Sequence, residues 1–172
     1  LMAIFAFAQF IYGTFLAHGF LLCAGCVAGQ FGFVRPNVFA IEPQFFGNLL
    51  LVPLLIIFRE ILTQKNRVSR NVLFGFLLLA LFLTLSRGAI FAFIFGAIFA
   101  IIFSRKNNRI PWRKFFSSLA IGAASLLICL LLQGTSAILN PNTNTSFGAA
   151  VNSSLNQLSL GLIKIQGVAK VS

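Results

Sequence analysis

Aspartate is absent from the 172 residues, and only Glu42 and Glu60 carry negative charge. A carboxylate cage for a hard cation, or the paired carboxylates that cleave glycosidic bonds, needs more acids than this. One histidine (His18) and three cysteines (Cys23, Cys26, Cys129) do not make a zinc site. Cys23 and Cys26 form a C-x-x-C, but beside Leu21, Leu22 and Val27 in an apolar stretch, where small buried cysteine is the better reading. Charge of either sign is scarce: 9% of residues are ionised, against about 25% in a soluble domain. So few charged groups cannot clothe a globule of this size in a soluble surface. The first segment also lacks the charged start and the cleavage site of a removed signal peptide.

Apolar residues make up 59% of the chain, and the mean hydropathy is +0.97. Thirteen Lys and Arg against two Glu leave a formal net charge of +11. A nucleic-acid-binding face would gather such residues on one polar surface; here they interrupt apolar runs, so no nucleic-acid partner is expected. The expectation is an integral membrane protein in contact with membrane lipids.

A crossing helix needs about 20 apolar residues. The sequence predicts an all-α, polytopic transmembrane helical bundle of about five spans, over 2–27, 44–62, 72–85, 89–103 and 115–132, followed by a polar segment over 133–172. Residues 28–43 carry Gly29, Gly32, Arg35, Pro36, Asn37, Glu42 and Pro43 and read as a loop. Pro53 lies inside the second span, where a kink is expected. Residues 71–104 are one apolar run interrupted at Ser86-Arg87-Gly88. As a single helix this run would be about 50 Å long; as two spans, about 22 Å each.

The basic residues decide between these. Nine of the 13 fall in two short clusters, Arg59/Lys65/Arg67/Arg70 and Arg105/Lys106/Arg109/Arg113/Lys114. The positive-inside rule places both clusters in the cytoplasm, which requires a hairpin turning at Arg87. Trp112 then anchors the fifth span at the cytoplasmic interface. The N-terminus lies inside, while loop 28–43, Arg87 and the polar tail lie outside. The tail ends in polar sequence and the chain opens Leu1-Met2, as a piece of a longer chain would.

Two outer arginines stand apart. Arg87 sits at the tip of a short hairpin, at or just below headgroup level, where an arginine either snorkels or faces a polar cavity. Gly88 and Ala89 beside it favour close helix approach. Arg35 lies in a loop leading into the second span, whose N-terminus presents free amides. An Arg35–Glu42 surface ion pair is one reading of that loop. The other joins Arg35, Arg87 and the helix N-terminus into one anion site, since forked guanidinium donors match phosphate oxygens. At that depth the natural anion is a lipid-linked phosphate or diphosphate.

At these two places the chain resembles the O-antigen ligase and O-antigen polymerase family of bacterial membrane glycosyltransferases. Thr84-Leu85-Ser86-Arg87-Gly88-Ala89 before an apolar span is similar to the family's Ser-Arg-Gly segment, and Arg35 with Glu42-Pro43-Gln44-Phe45-Phe46-Gly47 is similar to its outer-loop pattern. The match covers about residues 25–135. The resemblance implies residence in the bacterial inner membrane and an undecaprenyl-diphosphate-linked glycan donor on its outer face. It implies transfer to lipid A-core sugar or to another glycan repeat, with no metal or other cofactor. Arg87 and Arg35 would then neutralise the diphosphate leaving group, with Glu42 and Ser86 as further substrate contacts. Ligases of this family carry a histidine in the large outer loop, whereas the tail here has none and His18 lies in the first span as an interior residue. Such a histidine is then expected beyond Ser172, or the chemistry differs. A transporter or flippase for a lipid-linked or anionic substrate is the alternative, although no inverted repeat is visible. A non-catalytic membrane subunit with a structural Arg87 is a third reading.

Overall fold

The computed structural model describes residues 1–15, 35, 36, 38, 40, 42–63, 68–105, 112–139 and 151. They form five helices and, among the described residues, no strand: α1 (Met2–Phe15), α2 (Pro43–Thr63), α3 (Val68–Leu83), α4 (Arg87–Arg105) and α5 (Trp112–Leu139). The expected first span is described only as far as α1, and Cys23, Cys26 and His18 lie outside the described residues.

Local chemistry sets the ends of α2 and α4. Pro43 occupies the first position of α2, where a missing N–H costs nothing. The carbonyl of Glu42 accepts from the Phe45 and Phe46 amides at 3.1 and 3.4 Å. Pro53 lies within α2, which continues through it. The long apolar run breaks where expected, but at 84–86 rather than at 86–88. Tight i→i+3 bonds from the Thr84 and Leu85 amides to Leu81 and Phe82 close α3, and Leu85 takes a left-handed φ of 50°. Ser86 then caps α4: its carbonyl accepts from Ile90 N at 3.0 Å and its hydroxyl from Ala89 N at 3.4 Å. Arg87 and Gly88 are therefore the opening turn of α4, not the tip of a loop.

Contacts between helices fix their directions. Phe7 of α1 stacks on Phe76 of α3 at 4.7 Å, and Phe10 clusters with Leu83 and Cys129. The Ser125 hydroxyl of α5 donates to Gly75 O of α3 at 3.1 Å. Helices α1, α3 and α5 thus run in parallel. Gly47 of α2 abuts Ser86 and Ala89, and Leu55 abuts Gly96 of α4, so α2 and α4 run together in the opposite sense. The core follows a four-residue rhythm on α2 (Phe46, Leu50, Leu54, Phe58), packed against Phe74, Leu78 and Leu81 of α3. Phe58, Phe74 and Phe93 hold α2, α3 and α4 together with ring centroids 5.8–6.2 Å apart.

Two helices are long and apolar enough to cross a membrane, within Pro43–Thr63 and Trp112–Thr135; the other three are shorter apolar helices. A soluble core helix of that character would be mostly buried. The apolar windows here are only 39% and 17% buried, and Phe95, Phe99, Ile102 and Phe103 of α4 are likewise exposed. Helix α5 continues seven residues beyond the expected end at 132, into the polar segment. It can do so because Gln133 is buried and the Thr135 hydroxyl folds back onto Leu131 O and Leu132 O, both at 3.0 Å.

One end of the bundle gathers Arg59, Arg70, Trp112, Arg113 and Lys114. There the Lys114 ammonium donates to Leu62 O at 3.4 Å, and Arg70 lies 3.9 Å from Glu60. The described members of both basic clusters therefore share one end. Arg35, Glu42 and Arg87 occupy the other, with the N-termini of α2 and α4.

Candidate functional site

The arginine-bearing end is built on three short segments. The first is the turn 84–86. Thr84 is fully buried; its hydroxyl donates to Leu81 O at 2.7 Å and accepts from Ser86 N at 3.2 Å. This bracing leaves the Thr84 carbonyl facing the loop before α2. There Arg35 meets it with two donors, Nε at 2.9 Å and Nη2 at 2.7 Å. One edge of the guanidinium is thus fixed on a backbone oxygen, across 49 positions of sequence.

The second segment is the first turns of α2. A Cβ on Gly47 would lie 3.0 Å from Ser86 Cβ, 3.1 Å from Ala89 Cβ and 3.1 Å from Thr84 Oγ1. Only a glycine lets the loop-to-helix segment and the turn come this close. Ala89 is the small residue of the Ser-Arg-Gly stretch that makes this contact. Gly88 is exposed, and a Cβ added to it would meet nothing within 4 Å among the described residues. Of Gly88 and Ala89, both expected to allow close approach, only Ala89 makes it, against Gly47.

The third segment is the opening of α4. Arg87 is exposed and makes no hydrogen bond or ion pair among the described residues. A cation in a helix's first turn opposes the helix dipole, and neither α2 nor α4 has an acid in its first turn to offset it. Arg87 also acts on Arg35. Burial pulls the Arg35 guanidinium below its ordinary range, the charge of Arg87 pulls it further down, and Glu42 partly opposes them.

The expected site residues separate into distinct roles. Arg35 and Arg87 are brought to one end and feel each other's charge. Glu42 is exposed there, but it accepts from the Gln44 side chain and makes no ion pair with Arg35. Ser86 is buried, with its hydroxyl occupied in capping α4, so it shapes the turn that presents Arg87. The arrangement can receive an anion: two guanidinium groups and two helix N-termini share this end, with one exposed carboxylate. Three contributors escaped the sequence reading: the Thr84 carbonyl, Gly47 as the spacer, and Gln9 of α1, which bonds the loop at Val38. Gln9 had a visible signal, being the sole polar side chain in the apolar run 1–11.

No family model matches the chain, and no curated protein and no solved structure matches it.

Proposed function

We propose that the chain is a multi-pass bacterial inner-membrane protein of the O-antigen ligase and polymerase kind, which transfers a glycan from an undecaprenyl-diphosphate-linked donor on the outer face. The observation that carries this reading is the fixing of Arg35 on the Thr84 carbonyl, where it feels the charge of Arg87 and Glu42 offsets that charge only in part. Such a pair is costly alone and favourable around a dianion. As the bond from the sugar C1 to the diphosphate oxygen breaks, the electron pair stays on that oxygen, and Arg35 and Arg87 stabilise the charge. The acceptor hydroxyl, on lipid A-core sugar or on another glycan repeat, forms the new bond to C1 and releases its proton on the side where Glu42 is exposed. Arginine fills the role that a divalent cation fills elsewhere, so the transfer proceeds without a metal.

This reading takes all five helices as crossings, with the Trp112 end in the cytoplasm and the Arg35 end outside. In a background lacking the native cysteines, Gly88→Cys is expected to react with an impermeant thiol reagent added outside intact cells, and Ser69→Cys only after permeabilisation. Labelling of both positions from the same side defeats the topology.

Ligand recognition has its own measurement. Thermal unfolding of the full chain in detergent is expected to rise with farnesyl diphosphate, less with the monophosphate, and not with farnesol. A ligand at 100 times its Kd contributes about 2.7 kcal/mol. An equal shift with farnesol would mean that the prenyl chain alone is bound and the arginine site is not a phosphate site. Movement of the diphosphate lipid across proteoliposome membranes, with no transfer of glycan, would favour transport instead.

A further inference from the structure

Gln9 is fully buried on α1, within the apolar run that opens the chain. A buried amide in such a helix is costly unless bonded. It bonds the backbone of a residue 29 positions away: Gln9 Oε1 accepts from Val38 N at 2.8 Å, and Gln9 Nε2 donates to Val38 O at 3.5 Å. Both hydrogen-bonding groups of Val38 are thereby met by one side chain, as a strand neighbour would meet them.

Val38 is an unusual residue to hold in this way. Its φ is 55°, in the left-handed region that β-branched side chains avoid, and it is itself buried. Nothing in Val38 favours that conformation, so the surroundings must impose it. Val38 stands three residues after Arg35, and the chain between them sets the path on which Arg35 reaches the Thr84 carbonyl. Helix α1 otherwise packs on α3 and α5, through Phe7 on Phe76 and through Phe10 against Leu83 and Cys129.

We infer that Gln9 is a positioning residue for the anion site: by clamping the Val38 backbone it aims Arg35 at the turn before α4. This rests on the reading of Arg35 and Arg87 as a diphosphate site. It adds that α1, which offers no charged group to the ligand, sets the affinity by holding the loop.

The test uses the full chain in detergent with two readouts, amide hydrogen exchange over 35–40 and affinity for farnesyl diphosphate. Gln9→Met keeps length and apolar volume but loses both bonds; Gln9→Glu keeps the acceptor for the shorter bond. Gln9→Met is expected to speed exchange of the Val38 amide and to weaken the diphosphate by about tenfold. Gln9→Glu is expected to recover most of the amide protection. Because coupled residues fail to add, Gln9→Met should cost nothing further on an Arg35→Ala background, yet keep its full effect on an Arg87→Ala background. Unchanged exchange in Gln9→Met overturns the clamp. Faster exchange with unchanged affinity, or a Gln9→Met effect that adds fully to Arg35→Ala, overturns the positioning role. If Arg35→Ala itself leaves affinity intact, the diphosphate reading fails, while the exchange measurement still decides whether Gln9 holds the loop. Should Gln9→Met not fold, Gln9→Glu carries the same comparison through its single lost bond, with a smaller expected change.

Discussion

Arg35→Ala and Arg87→Ala are both expected to abolish glycan transfer, yet to move thermal stability in different directions. Loss of one preorganised donor to a developing oxyanion costs about 10²–10³ in rate, and each arginine is cast in that role. Arg35 has a second task. Its Nε and Nη2 satisfy the carbonyl of a fully buried Thr84. Hydrogen bonds from charged groups contribute about 1.5–3 kcal/mol, and removing the donor orphans the acceptor. Arg35→Ala should therefore lower the melting temperature as well as the activity. Arg87 makes no such bond, and its charge sits in the wrong turn for the α4 dipole while repelling Arg35. Arg87→Ala should leave stability unchanged or raise it by about 0.3–1 kcal/mol. A drop in stability for Arg87→Ala matching that of Arg35→Ala would remove the distinction, and full glycan display in either variant would remove the enzymatic role.

The charge repulsion has a defined pH signature. Arg35 has its pKa lowered, by burial first and then by Arg87. A cationic group with a folded pKa below its unfolded value is penalised in the folded chain wherever it is protonated in both states. That penalty is lost only as pH rises through the lowered folded value. Both states of Arg35 stay charged at neutral pH, so this pair adds no slope to the stability curve there. Relief has to come from an anion rather than from a proton. Inorganic diphosphate should accordingly stabilise the parent chain more than either alanine variant.

Much of the helix plan was legible because it rests on long apolar runs and on residues with strong local meaning. Pro43 at the start of α2 and Ser86 before α4 are capping residues, and the expected boundaries there fall within two residues of the observed ones. The placement of the described members of both basic clusters at one end followed from charge alone. The anion end was legible only as a set of ingredients. Arg35 and Arg87 could be singled out because an arginine beside apolar spans and apart from the basic clusters is rare, but the atom that anchors Arg35 at the turn before α4 is a backbone carbonyl, and every residue has one. The same holds for Gln9, whose partner is the backbone of Val38: a side chain bonded to main chain leaves no mark at the partner's position. The extension of α5 to Leu139 was hidden for a related reason. Gln133 and Thr135 read as polar exits from the membrane, yet one is buried and the other bonds its own helix.

Gly47→Val is expected to be the most disruptive apolar substitution at this end, and Gly88→Ala the most benign. In a helix interior, replacing glycine by alanine gains about 1 kcal/mol from propensity alone. Gly88 lies in the opening turn of α4, where that gain is smaller, but nothing within 4 Å among the described residues opposes it, so Gly88→Ala should be neutral or slightly stabilising. At Gly47 the new Cβ would meet Ser86 Cβ at 3.0 Å and Ala89 Cβ at 3.1 Å. These atoms are fixed to the backbone of α4 and its cap, so they give way only if α2 and α4 separate. Overpacking of this kind costs about 1–3 kcal/mol, and valine adds two γ-carbons to the collision while gaining less from propensity than alanine does. The separation would fall at Ser86, next to the carbonyl that holds Arg35, so affinity for farnesyl diphosphate should fall with stability in Gly47→Val. Melting temperature and ligand affinity measured on the two variants decide the matter. A Gly47→Val chain as stable and as tight-binding as the parent would show that α2 does not need to touch the turn. A Gly88→Ala chain that loses binding while keeping its stability would place a ligand, rather than protein, against the open side of Gly88.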